Sequence, residues 1–574
     1  MQPDFEAVIL NSQQNQIRLL EIAAGPEGEE IRCSYRVVSL DDSPAYHTLS
    51  YVWGDSHEGR SIVVAGAKVA VTDNLFSALH AIRSNAAATS STSPESESEA
   101  ESELLIWVDA LCINQRDPDE KMHQVHHLMR RIYAQCANCF VHFGRVEEAL
   151  GAARAAVDAM RVVADAETYE ELPPTLRGKE AQDAAGRAFQ QIPNSAWWSR
   201  IWTIQEGVRP RQHTIVWGLF TLPWETFMRF YTRAMALHWP DNLGLSFFAF
   251  FPAGHAGNLS GPFYALDLAR AWGEEPEGPL VMLWRFRDRR SSDPRDKVYA
   301  IMGLLGEGAP NPLPGVTPAD YTVPVPTLFK RVTVDLIRDE WSLRPLIGLR
   351  GERKSVPDLP SWVVDWTLPP DGRVISRFWD HDRFWYDFTT DRGLPMLDKE
   401  VLSSGGDDCV IRLNGVFFDR VLAASKPIET SEMDDVVKMW DALTAEAKAR
   451  GLRCDEVTDT FRNIAFRGMM EGKFLEHDRG TNWRENMWWM QTLFFTETGY
   501  IGLGPSTIQQ GDEVWIMSGC RVPFAFRPRG QDHKTIESGN ADGYEFVGDT
   551  YMPGIMHGEA VESRIGRQRF IKVY

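Results

Sequence analysis

The chain has 574 residues, room for roughly four compact units at about 150 residues each. Its 43% hydrophobic and 24% charged composition is that of a globular protein and excludes disorder throughout. Sixty Lys and Arg stand against 80 Asp and Glu, and the net charge of −20 excludes a general binder of phosphate backbones, which needs clustered cations.

Residues 1–45 read as strands that pack on the core of the first domain, with Ile31–Leu40 strand-like. Tyr46–Trp53 reads as a strand ending at Gly54 and Asp55. Ile62–Val71 is a hairpin about Ala65 and Gly66. Thr72 or Asp73 caps a helix whose apolar stripe is Leu75, Leu79 and Ile82. Residues 88–103, rich in Ser and Glu, bury too little apolar surface to offset ordering and are expected to form a mobile acidic loop.

Leu104–Val108 is a continuous apolar run, as expected of a strand covered on both faces. Asp117 suits an N-cap, Pro118 the first helical position and Glu120 the return arm of a capping box. The helix that follows carries Met122, Val125, Met129, Ile132 and Tyr133 on one face and His123, His126 and His127 on a solvated one. Asn138–Phe143 is a further strand, and 146–192 a helical insertion. Trp197–Glu206 reads as a helix, His213–Trp217 as a strand, and a helix opens at Leu222–Glu225. Strands alternating with helices imply an α/β domain over 46–240 with a mainly parallel sheet. A mainly helical region, 241–360, includes a cap-plus-proline start at Asp293 and Pro294. Residues 361–574 are mixed and β-rich, with helices expected near 431–450 and 484–492.

Seven Cys, an odd number, make no disulfide framework. The first residues show no basic-then-apolar leader, and the aromatic run Leu245–Phe251 is too short to span a bilayer. The expected setting is cytoplasmic. Cys136 and Cys139 have zinc-like spacing but lack a second pair and read as core thiols. No metal site is expected.

Three blocks resemble the fungal heterokaryon-incompatibility (HET) domain: Tyr46–Asp55 (YHTLSYVWGD), Ile106–Gln115 (IWVDALCINQ) and Ser199–Glu206 (SRIWTIQE). Asp293–Leu304 resembles a segment common downstream of that domain, and Gly502–Pro505 and Tyr551–Glu559 resemble later parts of full-length members. The resemblance implies a role in non-self recognition and programmed cell death, and a core similar to the Toll/interleukin-receptor (TIR) fold, which is flavodoxin-like. It implies self-association through the HET domain and an upstream allorecognition partner. Catalytic TIR domains carry a Trp-x-x-x-Glu whose Glu is catalytic; Trp202 and Glu206 match it.

NAD is then the candidate substrate, with no cofactor required. Cleavage at the nicotinamide–ribose bond passes through an oxocarbenium-like state, and nicotinamide leaves as a neutral molecule. One carboxylate, Glu206, can stabilise the developing charge. The alternative is a structural Glu206 paired with Arg200 or Arg209, in a non-catalytic signalling and assembly module. Ser50, Trp53, Gly54 and Asp55 follow one strand; Asp109, Asn114 and Gln115 follow another. In parallel α/β sheets both groups face the ligand crevice. They bind ligand there with Trp202, or else they fix turns and loops.

Overall fold

The computed structural model describes residues 5, 8–25, 28–54, 59–90, 104–146, 150–166, 168, 171, 191–192, 194–236, 278–305, 313–316, 319–348, 354–368, 389–392, 394, 410–429, 433–452, 491–530, 542–552, 554–562 and 567–574. The chain forms two compact units, one of Met1–Glu277 with Arg289–Glu307, the other of Gly278–Asp288 with Gly308–Tyr574.

Among the described residues, the first unit is built on nine strands. They are β1 (Gln16–Ile22), β2 (Arg32–Ser39), β3 (His47–Tyr51), β4 (Arg60–Val64), β5 (Ala67–Val71), β6 (Leu104–Trp107), β7 (Asn138–His142), β8 (His213–Trp217) and β9 (Phe220–Pro223). Their order is β5-β4-β2-β1-β6-β3-β7-β8-β9. The four strands β6, β3, β7 and β8 lie side by side and parallel. The sheet as a whole is mixed rather than mainly parallel. Short connections turn the chain straight back, so β1–β2, β4–β5 and β8–β9 are antiparallel hairpin pairs that widen the sheet on both sides. The β4–β5 hairpin turns on two residues, Ala65 and Gly66, with φ of 51° and 82°, the left-handed pair that matches strand twist.

The helix after β5, Asp73–Ser90, starts where Thr72 Oγ1 accepts the Leu75 amide at 3.3 Å. It runs into the expected acidic loop, of which 91–103 lie outside the described residues. Of the 146–192 insertion, Leu150–Asp165 is helical and 172–190 lie outside the described residues. Trp197–Glu206 is not one helix. A 3-10 turn, Ala196–Ser199, is followed by Arg200, which bridges in parallel to Arg290, and only then by the helix Thr203–Val208. Leu222 and Pro223 close β9, so the next helix begins at Trp224.

In the second unit, Pro279–Arg285, Val325–Glu340 and Met433–Ala449 are helical. Seven strands follow: β10 (Ile411–Ala424), β11 (Gln491–Thr496), β12 (Ile501–Pro505), β13 (Glu513–Met517), β14 (Phe524–Arg529), β15 (Gly543–Asp549) and β16 (Arg569–Val573). Their order is β12-β11-β10-β13-β14-β15-β16, and β10 also pairs with β16, closing a ring of five. One 14-residue strand, β10, serves three neighbours, β16, β13 and β11, and its register shifts at Phe417/Asp419 and again at Val421/Ala423; such bulges bend a strand. Phe418, Phe494, Val514, Ile516 and Val547 belong to one buried cluster of this unit. The helix expected near 484–492 gives way at Gln491 to β11, six fully buried residues rich in Phe and Thr, which suit a strand. Residues 484–490 lie outside the described residues. Among the described residues, no helix is long and apolar enough to cross a membrane.

Candidate functional site

The C-terminal ends of β3 and β6 lie at one end of the parallel strands, since His47 pairs with Ile106 and Thr48 with Trp107. Ser50, in β3, is completely buried. Its Oγ accepts the indole N–H of Trp197 at 2.6 Å and donates to Glu206 Oε2. Glu206 sits on the short helix Thr203–Val208 and is only 5% exposed. Among the described residues no ion pair reaches its carboxylate. Arg209, an alternative partner in the sequence, donates instead to the carbonyls of Gly303 and Leu305. Arg200 donates to the Tyr51 carbonyl at 2.8 Å and acts on Glu206 through its charge.

Burial pushes the Glu206 carboxyl up to about 7 and the nearby Asp109 pushes the same way, while Arg200 and the Ser50 hydroxyl oppose them. Asp109, half-buried after β6, is also raised by burial; Arg200, the Trp53 indole and the Ala110 amide oppose that. Tyr51 and Tyr133 lie within the field of both carboxylates and are held neutral, first by their own burial. The site thus has two carboxyls, each biased toward its neutral form, and one guanidinium.

Trp53 is 40% exposed, and its Nε1 donates to Asp109 Oδ2 at 2.9 Å. Gly54 has φ of 72°, and a Cβ there would meet Asn74 Nδ2 at 3.0 Å. Asp55 lies outside the described residues. Asn114 and Gln115 fix their own loop: Asn114 Oδ1 accepts the Arg116 amide at 3.1 Å, and Gln115 Nε2 donates to the Asp109 carbonyl at 3.2 Å. Trp202 precedes the Glu206 helix, its ring 6.0 Å from that of His126. Ser50, Trp53, Asp109 and Glu206 are therefore brought together. Ser50, placed against a ligand by the sequence reading, is instead committed to Glu206.

Two local expectations change. Asp117 caps its helix through the amides of Asp119 and Glu120, but Glu120 closes no capping box. Its carboxylate is taken by the buried Arg18 of β1, at 2.6 and 2.9 Å, and Oε1 also accepts the Asn114 amide at 2.7 Å. A charged fork offers a stronger hydrogen bond than a backbone amide. The histidine face is not wholly solvated. His123–Leu128 is a π-helical turn, and such bulges rotate a helix face. His126 is half-buried between Trp202 and Tyr299, and burial, with His127 and Lys121 beside it, lowers its pKa to about 4.

A later segment of the first unit, Arg289–Glu307, packs beside the Glu206 helix. Ile201 N–H donates to the Arg290 carbonyl at 2.9 Å, and Lys297 Nζ donates to the Arg289 carbonyl. Asp293 caps the turn as expected, its Oδ1 accepting the Arg295 amide at 2.9 Å and its carboxylate pairing with Arg295 at 2.7 Å, and the helix Asp296–Met302 follows two residues after Pro294. Gln205 Nε2 donates to the Ala300 carbonyl at 2.9 Å, beside Gly303. Cys136 and Cys139 are buried, with Thr48 Oγ1 donating to Cys136 Sγ at 3.4 Å. Among the described residues no cluster of three His, Cys, Asp or Glu could hold a metal ion.

Residues 46–206 match the family described as heterokaryon incompatibility protein (HET), and residues 466–573 match the Het-6 beta-barrel domain. The chain is similar to heterokaryon incompatibility protein 6, OR allele, of Neurospora crassa, at 24% identity over 684 aligned positions covering 97% of this chain and 96% of the relative. No solved structure matches the chain. Together these matches support a heterokaryon incompatibility protein.

Proposed function

We propose that the chain acts in fungal non-self recognition and programmed cell death, and that its first unit, TIR-like in core, hydrolyses NAD at the nicotinamide–ribose bond. The observation that carries this reading is Glu206. Among the described residues it is a buried carboxyl without an ion-pair partner, held by Ser50 at the C-terminal ends of parallel strands, with Asp109 and Arg200 near, where ligands of α/β sheets lie. Ionised Glu206 stabilises the positive charge that develops on the ribose as the bond to nicotinamide breaks. Water adds to the ribose carbon and loses a proton, giving ADP-ribose and free nicotinamide. Trp53 offers an exposed ring for stacking and Asp109 an acceptor for a hydroxyl; Gly54, Asn114, Gln115 and Trp202 line or support the same crevice.

Activity depends on self-association through the HET domain, with an upstream allorecognition partner as trigger, in the cytoplasm. The test is nicotinamide release by the purified full chain over a range of protein concentrations. A specific activity that rises with concentration is expected, and no release at any concentration contradicts the reading. The second reading, a non-catalytic assembly module, draws on the small exposure of Glu206; it predicts assembly and cell death with NAD left intact.

A further inference from the structure

Ser50 has no room for a ligand of its own. It is completely buried, and its hydroxyl proton and one of its lone pairs are taken within the protein. The direction of these bonds follows from chemistry. An indole nitrogen only donates, so Trp197 occupies a lone pair of the Ser50 oxygen. The one hydroxyl proton of Ser50 then goes to Glu206 Oε2, which must accept it. No described residue donates to Glu206 Oε1.

We propose that Ser50 is a positioning residue and Trp197 its orienter. The relay Trp197–Ser50–Glu206 ties one carboxylate oxygen as an acceptor and leaves the other to accept from a ribose hydroxyl of a nicotinamide nucleotide. The proposal rests on the reading of Glu206 as the carboxylate that acts on NAD. The relay joins residues 147 and 156 positions apart in the chain, and it gives the Ser of the first block a task that no contact with substrate could supply.

The relay favours the charged form of Glu206 against its burial. The other groups around this carboxyl are Arg200, ahead of its helix, Asp109 after β6, Tyr51 in β3, and Tyr133 on the helix Met129–Gln135. From β8, His213 turns its Nε2 to the Glu206 carbonyl rather than the carboxylate. Of these, only Arg200 joins Ser50 in favouring ionisation. Loss of the Ser50 hydroxyl therefore makes Glu206 harder to ionise.

The experiment uses the full chain with Ser50→Ala, Ser50→Thr and Trp197→Phe. In Ser50→Ala, the acid limb of nicotinamide release against pH moves up by about one to two units, the effect of one hydrogen bond to a charged group. Ser50→Thr, which keeps the hydroxyl, leaves the limb close to the wild-type pH, and Trp197→Phe moves the limb the same way as Ser50→Ala but less. The same titration is read without activity from the carboxyl infrared band that Glu206→Gln removes. If Ser50→Ala does not fold, Trp197→Phe carries the measurement. An infrared titration of Glu206 that stays at the wild-type pH in the folded variants overturns the relay. A shifted band in a protein that releases no nicotinamide overturns the NAD reading and leaves the relay standing.

Discussion

Gly303→Ala tests how the Glu206 helix is held. Gly303 has φ of −63° and ψ of −14°, so alanine meets no backbone strain there. Its Cβ, however, would lie 2.1 Å from Gln205 Nε2 and 2.5 Å from Cδ. Gln205 is buried, and its amide donates to the Ala300 carbonyl at 2.9 Å. Moving it strands a buried amide, at about 1–3 kcal/mol, and overpacks the contact, at about 1–3 kcal/mol more. Restricting the unfolded chain returns about 0.4–1 kcal/mol. The expected net loss is about 3 kcal/mol, read by urea denaturation followed through tryptophan fluorescence. Gln205→Ala removes the obstructing group, so adding Gly303→Ala to it should cost almost nothing, and the double-mutant cycle should show coupling of at least about 1 kcal/mol. Neutral or stabilising Gly303→Ala in the wild-type background would refute the reasoning.

Three further outcomes are expected. Arg18→Ala should cost about 3–5 kcal/mol, since it strands Glu120 and two backbone carbonyls, and Glu120→Gln should cost less; equal small losses in denaturation midpoints would count against a buried ion pair. The Glu206 carboxyl, raised from 4.5 to about 7, holds its proton more tightly in the folded state, so its stabilising effect is full below about pH 4.5 and lost as pH rises through 7. Glu206→Gln should therefore gain on wild type by about 3 kcal/mol between those pH values and then level off; parallel stability curves would deny the shift. His142, buried with no partner for either ring nitrogen among the described residues, has its pKa lowered by burial to about 4. The wild type should lose stability as pH falls from 6.5 toward 4, and His142→Leu should lose less over that window in thermal melts.

The parallel centre of the sheet was legible because β3, β6, β7 and β8 are short strand-like runs that alternate with helices or turns along the chain. The antiparallel flanks were less so, since alternation in Ile31–Leu40 marks a strand but not its partner. The division at Arg200 was hidden because Arg290, its bridging partner, lies 90 residues on, beyond any local pattern. The same holds for Gln205 beside Gly303 and for Trp197 on Ser50. Each pairing is fixed by tertiary packing, which leaves no periodic trace. The capping-box expectation at Glu120 failed for a related reason: local geometry offered an amide, and β1 offered a guanidinium. At the site, strand ends pointed to Trp53 and Asp109, and the resemblance to catalytic TIR domains pointed to Glu206. They could not show that Ser50 turns inward, because a strand residue's face depends on what packs there.

The most direct measurement is nicotinamide release by Glu206→Gln and wild type, at equal concentration, with the melting temperature of each recorded alongside. The substitution keeps size and hydrogen-bonding capacity while removing the charge. If Glu206 stabilises an oxocarbenium-like state, turnover falls on the order of a hundredfold or more in a protein that melts at or above the wild-type temperature, with substrate binding little changed. A folded Glu206→Gln that releases nicotinamide at the wild-type rate would contradict the account.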